Sequence, residues 1–444
     1  MPATPFDSIH LSALFDAGET ARLFTDSAEI RAMMIVEGAL AQVQGAQGII
    51  PEISAAAIHR ASLECQIDPV SLARATGANG VSTPALVAAF REAMQAPEHA
   101  QFLHWGATSQ DIQDTALMLR LRQALTGFVA QLDDLLGTLS TLAQTHAALP
   151  MAARTYGQHA TPTSFGAQVA QWGWPLLEAR DNLARLLAEG LPVSLSGASG
   201  TSAELGADPS ALRAALAEKL GLRDPGRSWH ADRGPVLRVG ETLTRLALGL
   251  GKWGEDLVLA TQSGLAEVRL GGMGSSSTMP QKQNPVAPSV MVALARHATG
   301  LNATLQGAAL HRQQRDGAAW FTEWLVLPQL VLSTAAALGQ AGALGRGLHP
   351  DATAMQATLE GTGGLLLAEA LSFALTDRLP RPKAQAEVKR LCIEARETGQ
   401  TLEACARRAF PDLPGGFFDN ANHLGNAPLE AVSFATAAMQ VARG

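Results

Sequence analysis

The chain is expected to be all-α, with three helical domains arranged around a long central helical bundle. Three observations predict this. Hydrophobic residues make up 47% of the 444 residues but aromatics only 5%, with one tyrosine in the whole chain. Alanine and leucine supply most of the apolar set, and these are strong helix formers, while the β-branched and aromatic residues that fill strands are scarce. Charged residues reach only 16%, so much helix surface should be covered by other subunits. Finally, two long segments repeat their apolar residues at helical spacing.

The first 110 residues read as an N-terminal helical domain, 111–350 as the long-helix bundle and 351–444 as a C-terminal helical domain. In the bundle, Leu117, Leu121, Leu125, Phe128, Leu132, Leu135, Leu139 and Leu142 recur at steps of three and four, which predicts a helix of six or more turns. Asp111 or a polar neighbour is placed to cap it. Breaks follow at Pro150 and across 191–210. A second long helix is predicted from Val236, Val239, Leu243, Leu246, Leu250, Trp253 and Leu257. Its glycines at 240, 249, 251 and 254 cost helix propensity, and the expected return is close approach of a neighbouring backbone. The uncharged run from Leu325, "LVLPQLVLSTAAALGQAGALG", is as long as a membrane span, but Pro328 and its small polar positions favour a helix buried in the bundle. The stretch "LHPDATA" over 348–354 closes the central domain.

Charge and cysteine content exclude several classes. A net charge of −7 with no basic cluster argues against nucleic-acid binding, which needs a basic face to displace counterions. Cys65, Cys392 and Cys405 are odd in number and far apart, as expected of a protein kept in a reducing cytoplasm, and they form no metal set. The opening residues lack a basic start followed by an apolar run, so no signal peptide is expected.

Polar residues gather in four places: "HWGATSQD" over 104–111, "RTYGQHATP" over 154–162, "GGMGSSSTMPQKQNP" over 271–285 and "HRQQRDGAAWFTEW" over 311–324. Singly, each has an ordinary reading. A lone histidine such as His104 is usually a satisfied core residue, "TSQD" is a helix cap, arginines are surface ion pairs, and a glycine-rich loop is a linker. No Gly-Lys pair ends that loop, so it is not a phosphate-binding P-loop.

In combination they are specific. "GSSSTMPQKQNP" resembles the signature loop of the fumarase/aspartase superfamily, and "HWGATSQDIQDT" and "RTYGQHATPTSFG" resemble its other two motif regions in the same order. Within it, "LFTDSAEIRAMMIVEGALAQVQGAQGIIP", "GAAWFTEWLVLPQL", "GLLLAEALSFAL" and "NHLGNAP" are similar to the bacterial 3-carboxy-cis,cis-muconate cycloisomerases of aromatic catabolism.

The resemblance implies a cytoplasmic homotetramer whose central helices form a common bundle. Each active site would be shared among three subunits, with no metal and no organic cofactor, acting on a small polycarboxylate, with no nucleic-acid or membrane partner. It implies that Ser276 is the reactive serine, with Ser275 in place of a family glycine. Lys282 and Asn284 would bind one substrate carboxylate. Thr108, Ser109 and Gln110 would bind another beside His104, with Gln158 facing the same cavity and Arg315 as a substrate-binding arginine. Arg154, Arg233 and His230 are candidates for a third carboxylate.

The departures are informative. Tyr156 stands where superfamily lyases with nitrogen leaving groups have a general-acid histidine, and Ser289 where they have its glutamate. An amine leaves as a strong base, and losing its acid should cost about 10²- to 10⁴-fold. A carboxylate leaves as a weak base, of pKa about 4. The missing acid therefore points to lactone chemistry. Gln281 and Gln283 replace a histidine and an arginine common in relatives, which leaves a differently substituted muconate open as substrate. A fumarate-releasing lyase of the adenylosuccinate or argininosuccinate type is the second reading; Trp324 speaks against adenylosuccinate, whose lyases have arginine there. A non-catalytic scaffold, as in eye-lens relatives, is the third, and the retained Ser276, Lys282 and Asn284 argue against it.

Overall fold

The computed structural model describes residues 4–272, 274–275, 278–279 and 281–442. Helices dominate, and strands among the described residues occur only in two-stranded pairs. The chain divides into two compact units, the first of residues 1–131, 179–248 and 293–339, the second of 132–178, 249–292 and 340–444. It passes between them five times, each time inside a long helix: Ser109–Thr145, Phe165–Glu189, Gly234–Ala260, Val286–Gln306 and Gly317–Gly347.

In the first unit, the helices Asp26–Ala46 and Glu52–Glu64 pack along a seam of small residues. A Cβ on Gly38 would lie 2.1 Å from Ser62 Oγ, and one on Gly45 would lie 2.5 Å from Ala55 Cβ. Bare backbone at those positions lets the helices approach closely. Thr25 caps the longer helix by accepting from Ala28 N–H at 3.2 Å. Met33, Met34, Leu40, Ile58, Leu86 and Phe90 form the core with Val193 and Leu212, each contributing about 1.5–3 kcal/mol by leaving water.

The long helices follow the predicted stripes. Leu121, Leu125, Phe128, Leu132 and Leu139 are fully buried in Ser109–Thr145, as are all seven stripe residues of Gly234–Ala260. The close approach expected at the glycines holds at two of them. A Cβ on Gly240 would meet Leu305 Cδ2 at 2.5 Å, and one on Gly254 the Pro288 carbonyl oxygen at 2.7 Å. Gly317–Gly347 is long and apolar enough to cross a membrane, but 67% of its most apolar window is buried, as befits a core helix.

The second unit carries the strands. Pro150–Thr155 pairs antiparallel with Gln158–Ser164, and Thr155 faces Gln158 across a two-residue turn of Tyr156 and Gly157. Both turn residues are left-handed, at φ 52° and 72°, which matches the twist of a hairpin. Gly274–Ser275 pairs antiparallel with Gln283–Asn284 in a small ladder. The C-terminal part of the unit has a separate core of Leu371, Leu375, Val388, Leu391, Leu402 and Cys405.

Candidate active site

In the first unit, a polar cluster forms where Ser109–Thr145 begins. Thr108 precedes the helix, and its N–H donates at 3.0 Å to Asp111 Oδ2, the backward half of a capping box. Asp111 is fully buried and does more than cap. It also accepts from Ser196 N–H at 2.8 Å, Gly197 N–H at 2.9 Å and His230 Nε2 at 2.8 Å. One carboxylate therefore ties the 104–111 loop to the 194–198 loop and to His230. A buried carboxylate holds its charge only with such a set of donors.

Above that anchor, Gln110 donates through Nε2 to the His230 carbonyl at 2.9 Å and accepts from Arg315 Nε at 2.8 Å. Arg315 Nη2 also donates to Thr108 Oγ1 at 3.3 Å and to the Ala198 carbonyl at 3.2 Å. The exposed guanidinium is held in one orientation by neutral acceptors, so its charge is left for an anion. Arg315, predicted separately from the pair Thr108 and Gln110, is thus brought together with them.

His104 sits at the mouth of the same loop. Its Nδ1 donates to Glu37 Oε1 at 2.6 Å, and Glu37 is 1% exposed. Burial alone would lower the imidazole pKa, but the Glu37 carboxylate outweighs it through charge and hydrogen bond, so the pKa is raised from 6.5. The His104 backbone is left-handed at φ 65°, a costly conformation for a non-glycine residue. Gly106 follows at φ 71°, where a Cβ would lie 2.3 Å from the Glu204 carbonyl oxygen.

Three residues expected as candidates for a third carboxylate are committed internally. Arg233 is buried between Asp114 and Glu323, bonded bidentately to both at 2.6–2.9 Å, with its guanidinium 4.7 Å over Trp229. Burial pushes the Glu323 carboxyl up, and Asp114 adds to the shift against the opposing pull of Arg233. Arg154, in the second unit, is bidentate to the buried Glu267 at 2.8 Å. His230 is spent on Asp111. Neither arginine has charge free for a substrate, and the Nε2 of His230 is taken by Asp111.

In the second unit, Tyr156 stands fully exposed at its hairpin tip, with Gln158 exposed beside it. Asn284 lies on the strand paired with Gly274–Ser275, and Lys282 is exposed just before it, its N–H bonded to the Met279 carbonyl at 3.0 Å. Ser276 lies outside the described residues. Ser289 turns its hydroxyl back to the Pro285 carbonyl of its own helix at 2.8 Å, an ordinary helical bond.

Residues 14–300 match the family model described as lyase. The chain belongs to that family, within the fumarase/aspartase superfamily. The lyase is 38% identical to a Pseudomonas aeruginosa protein named 3-carboxy-cis,cis-muconate cycloisomerase, over 94% of this chain and 93% of that protein. It is 37% identical to a nitrosuccinate lyase of Streptomyces davaonensis, over 85% and 82% of the two chains. The crystal structure of 3-carboxy-cis,cis-muconate lactonizing enzyme from Pseudomonas putida superposes with a TM-score of 0.90 at 34% identity, covering 97% of this chain and 99% of that one.

Sequence reasoning missed Glu37, the full role of Asp111 and the 194–198 backbone. Two signals were available for the lyase's acids: Glu37 is a lone carboxylate in the run "AMMIVEGALA", and Asp111 lies among helix-start residues that already attract attention. The backbone N–H groups of Ser196 and Gly197 carry no side-chain signature.

Proposed function

We propose that this lyase is a 3-carboxy-cis,cis-muconate cycloisomerase, an intramolecular lyase of aromatic catabolism that forms 4-carboxymuconolactone reversibly. The observation that carries the reading is the state of the two positions where amine-releasing relatives keep an acid pair. Tyr156 stands exposed at a hairpin tip, and the Ser289 hydroxyl is turned to its own helix. Such a site suits a reaction whose breaking bond, in the lactone-opening direction, releases a carboxylate that needs no proton.

In the lactonising direction, one substrate carboxylate adds across a ring-closing double bond. Its oxygen forms the new C–O bond, and the displaced π electrons move onto the adjacent carbon and its carboxylate. Lys282 and Asn284 stabilise that developing charge, and Ser276 then delivers a proton to the carbon. A second carboxylate is held by Thr108, Ser109, Gln110 and Arg315 beside His104, with Gln158 and Tyr156 facing the bound substrate. Support for the second site is the orientation of Arg315 by Gln110 and Thr108. The enzyme works without metal or organic cofactor, in the cytoplasm, as a homotetramer with each active site drawn from three subunits.

The test follows loss of the conjugated diene by ultraviolet absorbance with purified protein and 3-carboxy-cis,cis-muconate, with Ser276→Ala as control. Rapid loss that vanishes in the variant is expected. No loss from a native-sized tetramer would overturn the reading. One alternative has specific support in the 37% identity to a nitrosuccinate lyase. A nitro-substituted succinate also sheds a weakly basic group, so the same missing acid permits it, and the same protein assayed with nitrosuccinate separates the two.

A further inference from the structure

The helix Asp26–Ala46 commits two buried polar side chains to one loop. Glu37 and Gln44 lie seven residues apart, on the same face, and each is 1% exposed. Gln44 Nε2 donates to the Trp105 carbonyl at 2.8 Å, which satisfies a backbone acceptor. Glu37 makes the 2.6 Å bond to His104 Nδ1, and its Oε2 is buried with no partner. A buried carboxylate with an orphan oxygen is costly. A hydrogen-bonding role alone would be met by an amide, as Gln44 shows on the same face.

The ring itself is placed for more than packing. The side chain of His104 keeps 19% of its surface exposed. Its Nε2 makes no hydrogen bond to a described residue and is not sealed from solvent. Its backbone is held at φ 65°, and strain of this kind collects at functional residues. The loop it begins leads directly to Thr108, Gln110 and the Arg315 contacts.

We propose that Glu37 is a positioning residue that holds His104 as an imidazolium, with Nε2 presented to a substrate carboxylate beside Thr108, Gln110 and Arg315. The proposal rests on the reading of the site as a polycarboxylate site. The charged groups bearing on the ring are Glu37 and Asp111, which favour its charged form, and Arg91, which opposes it along with burial. Arg91 is partly occupied by the Leu103 carbonyl, to which its Nη2 donates at 2.9 Å.

The first arm of the test needs no turnover. Diethyl pyrocarbonate acylates only neutral imidazole, so the pH dependence of its reaction at His104, located by peptide mass spectrometry, reads the ring's titration in the full-length protein. The wild-type midpoint is expected above 6.5, and Glu37→Gln should lower it. An unmoved midpoint in a folded E37Q overturns the proposal. Should E37Q not fold, Glu37→Asp keeps the charge but withdraws it by one methylene, and its midpoint should fall below that of wild type; no movement there also overturns it.

The second arm reads binding. Between the two midpoints, E37Q should raise KM for 3-carboxy-cis,cis-muconate about tenfold with kcat little changed, and shift the alkaline limb of kcat/KM to lower pH. Calorimetric titration with tricarballylate should show a matching loss of about tenfold. If the muconate is not turned over, the proposed function fails while the acylation and tricarballylate arms still decide this proposal. A lowered midpoint with unchanged tricarballylate affinity overturns it.

Discussion

His230 Nε2 lies 2.8 Å from Asp111 Oδ1, and the same carboxylate collects the N–H groups of Thr108, Ser196 and Gly197. Replacing Asp111 by Asn keeps the size but turns an amide NH₂ toward some of those donors. Removing one member of a buried charged network costs about 3–5 kcal/mol. An unfolding free energy in urea lowered by about that amount, with a lower midpoint and with KM for the muconate raised, is expected for D111N. An unchanged midpoint would show that the carboxylate is not the anchor of the two loops.

Arg233 faces two carboxylates and serves none but them. Arg233→Met leaves Asp114 and Glu323 buried without their cation, and should cost about 3–5 kcal/mol in denaturant unfolding. Replacing all three by apolar residues of similar volume, with Asp114→Leu and Glu323→Met added, should recover most of that loss, because no charge is then left in the core.

Tyr156 offers two readouts. Tyr156→Phe should leave kcat for lactone formation within about threefold, whereas a lyase relying on that hydroxyl as its acid should lose about 10²- to 10⁴-fold. Tyr156→Asn places Asn-Gly in the two-residue turn and relieves a left-handed aromatic residue. Thermal melting should show a gain of about 0.5–1 kcal/mol.

His311 contributes an acid sensitivity. Burial is the main cause of its lowered pKa, with the Arg233 charge second, against weaker pulls from Asp316 and Asp114. Both ring nitrogens are buried without a partner. The unfolded chain therefore binds the proton more tightly, and the contribution of this group is complete above 6.5 and lost as pH falls below that value. Chemical denaturation between pH 7.5 and pH 5, on the order of one unit to either side of an ordinary histidine, should show a smaller acid loss in His311→Phe than in wild type.

Much of the fold was legible because buried helices advertise themselves by period. The stripes at 121–139 and 236–257 need no knowledge of their partners to be read. The hairpin of Pro150–Thr155 and Gln158–Ser164 was not legible, because its polar residues break the alternation that marks a strand, and its turn carries tyrosine where asparagine or glycine is usual. At the candidate site, Thr108, Gln110 and Arg315 were found through motifs. The true office of Arg154 and Arg233 was hidden. Arginine looks the same whether it awaits a substrate or an internal acid, and Glu267, Asp114 and Glu323 lie 90 to 119 residues from the guanidiniums they bind.

Glu37 and Gln44 are two turns apart on one helix, so the rod between them acts as a ruler of about 10.5 Å. It sets the spacing between the His104 ring and the Trp105 carbonyl, which their side chains grip. Inserting or deleting a single residue within 38–43 would rotate one grip by about 100° relative to the other and release the loop, while leaving every side chain of the site in the chain. The count of residues in that interval is thus as much a part of the site as the side chains that make those two contacts.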